Sequence, residues 1–204
     1  MKRYLYILLV IALFALQACA TDAAPTEGEG ALIPPVSSED SSIQGSAGAA
    51  PDTGKPQPAG GGGGCTASDA NAASFGTQVI ALVNNYRTQN GLNSLTSQSQ
   101  LTAAAQRHSL DMGCNFFMSH TGTDGSDPYA RIVASGYPVN WWGENVAAGY
   151  ATPDAVMAAW IASPPHNANL LNPNFTEIGI GYVINEADPN GYKSYWTMAL
   201  GSQQ

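Results

Sequence analysis

Charged residues make up only 11% of this 204-residue chain, so titratable groups in tight local sequence stand out. His120 lies in Met118-Ser119-His120-Thr121-Gly122, Glu144 in Trp141-Trp142-Gly143-Glu144-Asn145, and His166 directly after Ser163-Pro164-Pro165. Two neutral imidazoles and a carboxylate are the ligand types of an open zinc site, whose fourth position holds a water made acidic by the metal. Zinc or magnesium is therefore the cofactor expected, with Glu144 as the candidate catalytic group. No H-E-x-x-H helix collects these residues, so the fold must bring them together. The competing expectation is a satisfied hydrogen-bond network that joins the same three side chains without a metal.

Other polar groups carry weaker chemistry. Ser119 adjoins His120 and Ser163 precedes His166, yet no G-x-S-x-G turn and no third group aimed at either imidazole support a serine hydrolase. His108 falls on the apolar side of a helical pattern and reads as a packed, hydrogen-bonded core residue. Arg131 reads as a structural ion-pair partner, and Glu177, opening an apparent strand, as a structural or surface group. Trp141, Trp142 and Trp160 suit wall and core packing, while exposed rings near Glu144 would suit a carbohydrate or lipid. Asn174-Phe175-Thr176 has the form of a glycosylation acceptor.

Several elements must position these residues. Phe75, Val79, Leu82, Val83 and Tyr86 repeat at helical spacing with Ser74 as a candidate cap and Gly91 beyond the stop. Leu101, Ala104, Ala105, His108 and Met112 predict a second helix over 97–113. Asp127 to Ser135 predicts a short third helix, and Thr152-Pro153-Asp154 opens a fourth that runs through Trp160. A short strand is expected at 145–150, and two more at 177–185 and 192–200, joined by a turn at Asp188-Pro189-Asn190-Gly191. Helices first and a hairpin last predict an α+β domain with helices packed on an antiparallel sheet.

The segments "LTAAAQRHSLDMG", "FFMSHTGTDGSDPYARIVASGY", "GENVAAGY" and "AWIASPPHNANLLNPNFTEIGIGY" together resemble the bacterial branch of the CAP superfamily, also called SCP domains. The resemblance covers residues 75–200 and implies an α-β-α sandwich with an acid/histidine cleft. It maps the family's cleft histidines to His120 and His166 and its Gly-Glu-Asn acid to Glu144. The second family acid, three residues after a tryptophan, maps from Trp160 to Ser163. Trp160 and Ser163 thus become cleft positions without the expected carboxylate, which weakens a full catalytic tetrad.

The N-terminus indicates export. Met1-Lys2-Arg3, an apolar run and Leu16-Gln17-Ala18-Cys19 resemble a bacterial lipoprotein signal over 1–18, with Cys19 lipidated; an ordinary signal cut near Ala20 is the alternative. Residues 19–64, rich in Ala, Gly, Pro and Ser, predict a disordered tether with a reach of roughly 35–40 Å. Residues 65–204 form one domain. Cys65 and Cys114 are then an even pair in an oxidising compartment, expected as a disulfide rather than as two free thiols. The formal charge of −8 becomes more negative once Lys2 and Arg3 leave with the signal, and no basic cluster follows. Nucleic acid is excluded as a partner on that ground. The functional expectation is a membrane-anchored module, facing the periplasm or cell surface and anchored in the outer membrane if the cell is Gram-negative. Its cleft would bind a divalent metal and a small apolar, lipid, peptidoglycan or protein ligand. The alternatives are a metal-dependent hydrolase of the peptidase kind, using His120, Glu144 and His166, and a surface interaction protein with a vestigial cleft.

Overall fold

The computed structural model describes residues 42–46, 65 and 67–204, the first group by its backbone. The expected signal over 1–18, Cys19 and most of the tether lie outside the described residues. The elements run β1 (Ser42–Ser46), α1 (Ala72–Gln89), β2 (Thr96–Ser97), α2 (Ser99–Asn115), α3 (Pro128–Ala134), β3 (Val139–Ala148), α4 (Pro153–Ala162), α5 (Pro164–Leu170), β4 (Glu177–Ile184) and β5 (Ser194–Gln203).

Local chemistry sets most boundaries. Asp127 and Thr152 cap α3 and α4 through side-chain oxygens that accept from Ala130 and Ala155 N–H, and a proline opens each helix. Gln98 caps α2 by accepting from Gln100 N–H at 2.8 Å. The start of α1 differs from expectation: Ser74 lies inside the helix, which begins at Ala72 behind Asn71. The Pro164-Pro165 pair does not make a simple turn. Pro164 instead starts α5, a first-turn use of proline that needs no amide hydrogen.

The sheet order is β1-β3-β5-β4-β2, antiparallel except where β2 runs parallel to β4. Strand alternation divides the core in two. Trp196, Met198 and Leu200 of β5 pack with α1, α4 and α5, in a cluster that includes Val79, Val83, Trp160 and Phe175. On the other side Tyr195 packs with Met112 of α2, and Ala199 packs with Leu101, Ala104 and Ile132 of α2 and α3. The result is the expected α-β-α sandwich.

The layer built on α2 demands unusual closeness to the sheet. A Cβ on Gly179 would stand 2.1 Å from Thr102 N, and one on Gly181 would stand 2.4 Å from Ala105 C and O. Only hydrogen at both positions lets the α2 backbone lie on β4. The end of α2 is held by the Cys65–Cys114 disulfide, whose Cα atoms are 5.2 Å apart and which closes a sequence separation of 49. A loop of that size stabilises by about 4 kcal/mol in the chain-entropy picture.

One expectation is corrected here. The tether was expected to lack structure over 19–64, but Ser42–Ser46 forms an antiparallel strand on β3, with Ile43 opposite Glu144 and Ser46 opposite Trp141. Backbone pairing on an open edge asks for no apolar burial, so composition does not foretell it.

Gly181→Ala is expected to lose about 3 kcal/mol in denaturant unfolding, at the upper end of overpacking, because backbone rather than a flexible side chain meets the new methyl. Gly76→Ala in α1 meets its nearest atom at 3.6 Å and is expected to gain up to about 1 kcal/mol from helix propensity. Equal midpoints for the two variants would contradict the close α2–β4 packing.

Candidate functional site

The site grows from β3. Because strand residues alternate in direction, Glu144 and Val146 face α2 and α3, whereas Asn145 and Ala147 face α4 and α5. On the first side, His120 from the loop after α2 places Nδ1 2.7 Å from Glu144 Oε1. Arg131 of α3 donates through Nη2 to Glu144 Oε2 at 2.8 Å, to Oε1 at 3.1 Å and to the His120 carbonyl at 2.9 Å. Its Nη1 donates to the Ser126 carbonyl at 2.7 Å. One guanidinium therefore fixes both the carboxylate and the backbone of the histidine that the carboxylate binds.

His108 steadies the same loop from beneath. Its Nε2 lies 2.7 Å from the Ser119 carbonyl, and the residue is wholly buried, as its place on the apolar side of α2 led us to expect. Burial holds its pKa below the usual imidazole value, with the nearby Glu144 opposing and Arg131 reinforcing that shift. The proton therefore sits on Nε2, donating to the carbonyl.

Glu144 is 3% exposed. Burial alone would push its carboxyl pKa up, but the hydrogen bond from His120 and the charge of Arg131 outweigh it, helped by His108, and the pKa is lowered. A carboxylate accepts only, so His120 Nδ1 carries the proton of that bond. In the neutral ring Nε2 is then a lone pair, and it is buried with no hydrogen-bond partner among the described residues.

His166 approaches from the opposite layer. Its carbonyl accepts from Asn145 Nδ2 at 3.2 Å, while Asn169 Nδ2 donates to the Glu144 carbonyl at 3.1 Å and to Asn145 Oδ1 at 2.8 Å. The structure thus brings His120 and Glu144 into direct contact and joins α5 to the same strand through amides. No group of three His, Cys, Asp or Glu among the described residues is arranged to hold a metal ion. Both oxygens of Glu144 accept from the Arg131 guanidinium, and His166 stands on α5.

The two expected cleft residues divide. Trp160 is 1% exposed and donates Nε1–H to the Val146 carbonyl at 3.4 Å, so it belongs to the core and not to a cleft. Ser163 sits at the break between α4 and α5, where its carbonyl accepts from Asn167 N–H at 2.8 Å. Glu177 has the structural role expected, accepting from Tyr137 Oη at 2.5 Å and Gln203 Nε2 at 3.0 Å.

Sequence reasoning missed three positioning residues. Asn145 and Asn169 carry no pattern that separates them from the other asparagines. Arg87 in α1 is buried and donates to the carbonyls of Asn93, Leu170, Asn172 and Phe175, which anchors α5 and the segment before β4. A lone arginine inside the apolar repeat of α1 was the available signal.

Trp142, two residues before Glu144 on the same face of β3, stands with its ring centroid 6.2 Å from that of Tyr129 at an interplanar angle of 49°. Both rings are partly exposed and pack against the α2–α3 core cluster that includes Ile132 and Tyr137.

The model of the cysteine-rich secretory protein family, CAP, matches residues 80–200. The uncharacterized protein YkwD of Bacillus subtilis is 34% identical over 118 residues, covering 58% of this chain and 46% of that protein. The uncharacterized membrane protein YlbC of the same organism is 30% identical over 104 residues, covering 51% of this chain and 30% of that protein. The chain therefore spans less than half the length of these two relatives. An extracellular protein containing a SCP domain from Bacillus anthracis superposes with TM-score 0.58 at 26% identity, over 65% of this chain and 41% of the other. An outer surface protein of Borrelia burgdorferi gives 0.57 at 23% identity, over 63% and 92%, a likeness of fold.

Arg131→Met is expected to cost about 3–5 kcal/mol, because it leaves the buried Glu144 without its cation. The lowered pKa of Glu144 also gives a pH signature. A carboxyl held below its unfolded value of about 4.3 stabilises the fold above that pH, and the contribution is lost as pH falls through the folded value. Acid unfolding followed by circular dichroism should therefore be flatter below about pH 4 in Glu144→Gln, which is already destabilised at neutral pH. An unchanged acid profile would remove Glu144 from the linkage.

Proposed function

This chain belongs to the cysteine-rich secretory protein family, CAP, and on that premise we propose that it is an exported binding module held at the membrane by lipid on Cys19. Its cleft, built around His120 and the Tyr129–Trp142 wall, takes a small apolar, lipid or cell-envelope ligand. Export is supported by the lipoprotein-like N-terminus, by the Cys65–Cys114 disulfide and by the likeness in fold to an extracellular and an outer surface protein. No helix among the described residues is long and apolar enough to cross a membrane, and the lipid on Cys19 is the proposed anchor.

The observation that carries the reading is the engagement of Glu144 by Arg131 at 2.8 and 3.1 Å. A carboxylate balanced by a guanidinium and held below its usual pKa is a poor proton acceptor, so it suits orientation of His120 better than general-base work. No serine, threonine or cysteine side chain among the described residues hydrogen-bonds the His120 ring, which also weighs against a nucleophile. What remains is a fixed, desolvated Nε2, which in this reading serves as the polar anchor of an otherwise apolar ligand.

A second reading, zinc binding, rests on that same Nε2. Carboxylate-oriented imidazoles are the usual form of a zinc-ligating histidine. Zinc when bound supplies a Lewis acid and an acidified water. Magnesium, which asks for oxygen ligands, does not suit a site whose carboxylate is held by arginine.

Two measurements test these readings. The full chain made with its signal is expected in the membrane fraction and Cys19→Ser in the soluble one; a membrane-bound Cys19→Ser protein would refute the lipid anchor. Titration of soluble Cys19→Ser protein with the fluorescent fatty acid cis-parinarate should show binding that weakens about tenfold in Trp142→Ala. In parallel, zinc chloride calorimetry should show heat lost in His120→Ala if zinc is taken. Fatty-acid binding indifferent to Trp142 would remove the aromatic wall from the proposal.

A further inference from the structure

The opposite edge of the sheet holds a second polar feature, independent of the His120 site. Alternate residues of β4, namely Ile178, Ile180, Tyr182 and Ile184, turn their N–H and C=O groups away from β5. Three of these positions are closed within the chain. Gln98 N–H donates to the Ile178 carbonyl at 2.9 Å. The carboxamide of Gln106 closes Tyr182 from both sides, accepting its N–H at 3.0 Å and donating to its carbonyl at 3.1 Å. Ser68 and Ile184 exchange backbone bonds of 2.7 and 2.8 Å. Among the described residues, Ile180 N–H and C=O have no such partner.

That gap opens into a groove of about 290 Å³ between α1 and α2, lined by Asp69, Thr77, Ser97, Thr102 and Gln106, with Ile180 at its floor. α1 passes over it at Gly76, where an added Cβ would stand 3.6 Å from Ile180 Cβ and 3.8 Å from Ile180 O. A side chain at that position would crowd the approach to the Ile180 carbonyl.

We propose that this groove binds a short extended peptide, one residue of which completes the Ile180 position by accepting its N–H and donating to its carbonyl. The chain itself shows the matching chemistry at both following positions, as a carboxamide at Tyr182 and a peptide backbone at Ile184. The stretch from Ile178 to Tyr182 spans about 13 Å of strand, room for an extended tripeptide of about 10 Å between its two closed ends. The volume lies at the low end for small-ligand sites and sets the same size. Asp69 is exposed and forms no ion pair among the described residues, so it favours a peptide whose ammonium end lies toward α1. Main-chain bonding of this kind is strand addition, in which the backbone supplies affinity and the flanking hydroxyls supply selection for small side chains.

The test uses the full chain carrying Cys19→Ser, labelled with ¹⁵N, and the peptide Ala-Ala-Ala-NH₂. In the free protein the Ile180 amide should exchange with solvent at least about tenfold faster than those of Tyr182 and Ile184. Saturating peptide, with a dissociation constant of about 0.1–1 mM, should slow Ile180 to its neighbours' rate. The backbone N-methylated peptide should not bind. Thr77→Phe, which fills the groove from an exposed position, should abolish binding with an unchanged melting temperature, and Asp69→Asn should weaken it about threefold. The proposal is overturned if Ile180 is already as protected as Tyr182 in the free protein, if no binding is seen to about 10 mM, or if Thr77→Phe binds equally well. These outcomes leave the His120 site untouched, because β5 lies between β3, which carries that site, and this edge.

Discussion

The close seating of α2 on β4 is the constraint on which the remainder of the domain hangs. Two glycines in alternate positions, Gly179 and Gly181, leave no side chain between helix backbone and strand. This nearness lets Gln106 reach the edge of Tyr182 and lets Ser109 bond Thr197 at 2.9 Å across the buried interface. It also sets the depth of His108, and therefore the height at which the Ser119-His120 loop leaves the end of the helix. A residue far from the site in sequence thus determines where His120 can stand. The disulfide at Cys114 ties the other end of the same helix to Cys65.

From that base, the strand period explains how the site is divided. Glu144 and Asn145 are neighbours in sequence but serve opposite layers. Glu144 meets Arg131 and His120 on the α2 and α3 side, while Asn145 takes the carbonyl of His166 on the other. Asn169 bonds the backbone of the first and the side chain of the second, so it ties the two layers across β3. Arg87 performs the matching task for α5 from α1, by donating to the carbonyls of Leu170, Asn172 and Phe175 at and after its end. The charged groups facing the site are thereby matched locally, one carboxylate to one guanidinium, which favours a fixed geometry over proton traffic.

Much of this order was legible in the sequence, and the reasons for the remainder are physical. Helices α1 to α4 declared themselves through apolar spacing, and α3 and α4 also through Asp127-Pro128 and Thr152-Pro153, where cap and proline act within three residues. The hairpin of β4 and β5 showed in its alternation and its Gly191 turn. By contrast α5 was hidden, since Pro164-Pro165 signals a turn as readily as a helix start. β3 begins at Val139 rather than 145, because the two tryptophans and Gly143 do not alternate in a way that marks a half-buried strand. At the site, the contact of His120 with Glu144 followed from the family likeness, and Arg131 was read as an ion-pair partner without its carboxylate being named. The layer of each residue could not be read, because it depends on register between β3 and β5, which is set by pairing between strands far apart in sequence.

The edges of the sheet give these observations a common logic. An open strand edge offers unpaired amides to any passing chain, and folded domains cover or interrupt such edges. Here the β3 edge is covered from within the chain by Ser42–Ser46, which pairs opposite the residues that include Glu144. The β4 edge is interrupted piecemeal by β2, by the Gln106 carboxamide and by Ser68. A covering made of separate pieces has to leave joints between them, and Ile180 stands at one. Its amide and carbonyl are held rigidly by β5 on the strand's other side and framed by two helices, so the opening is pre-organised at no further cost in backbone order. A short peptide would supply Ile180 with the same kind of hydrogen-bonding partner that the chain has already found for Tyr182 and Ile184.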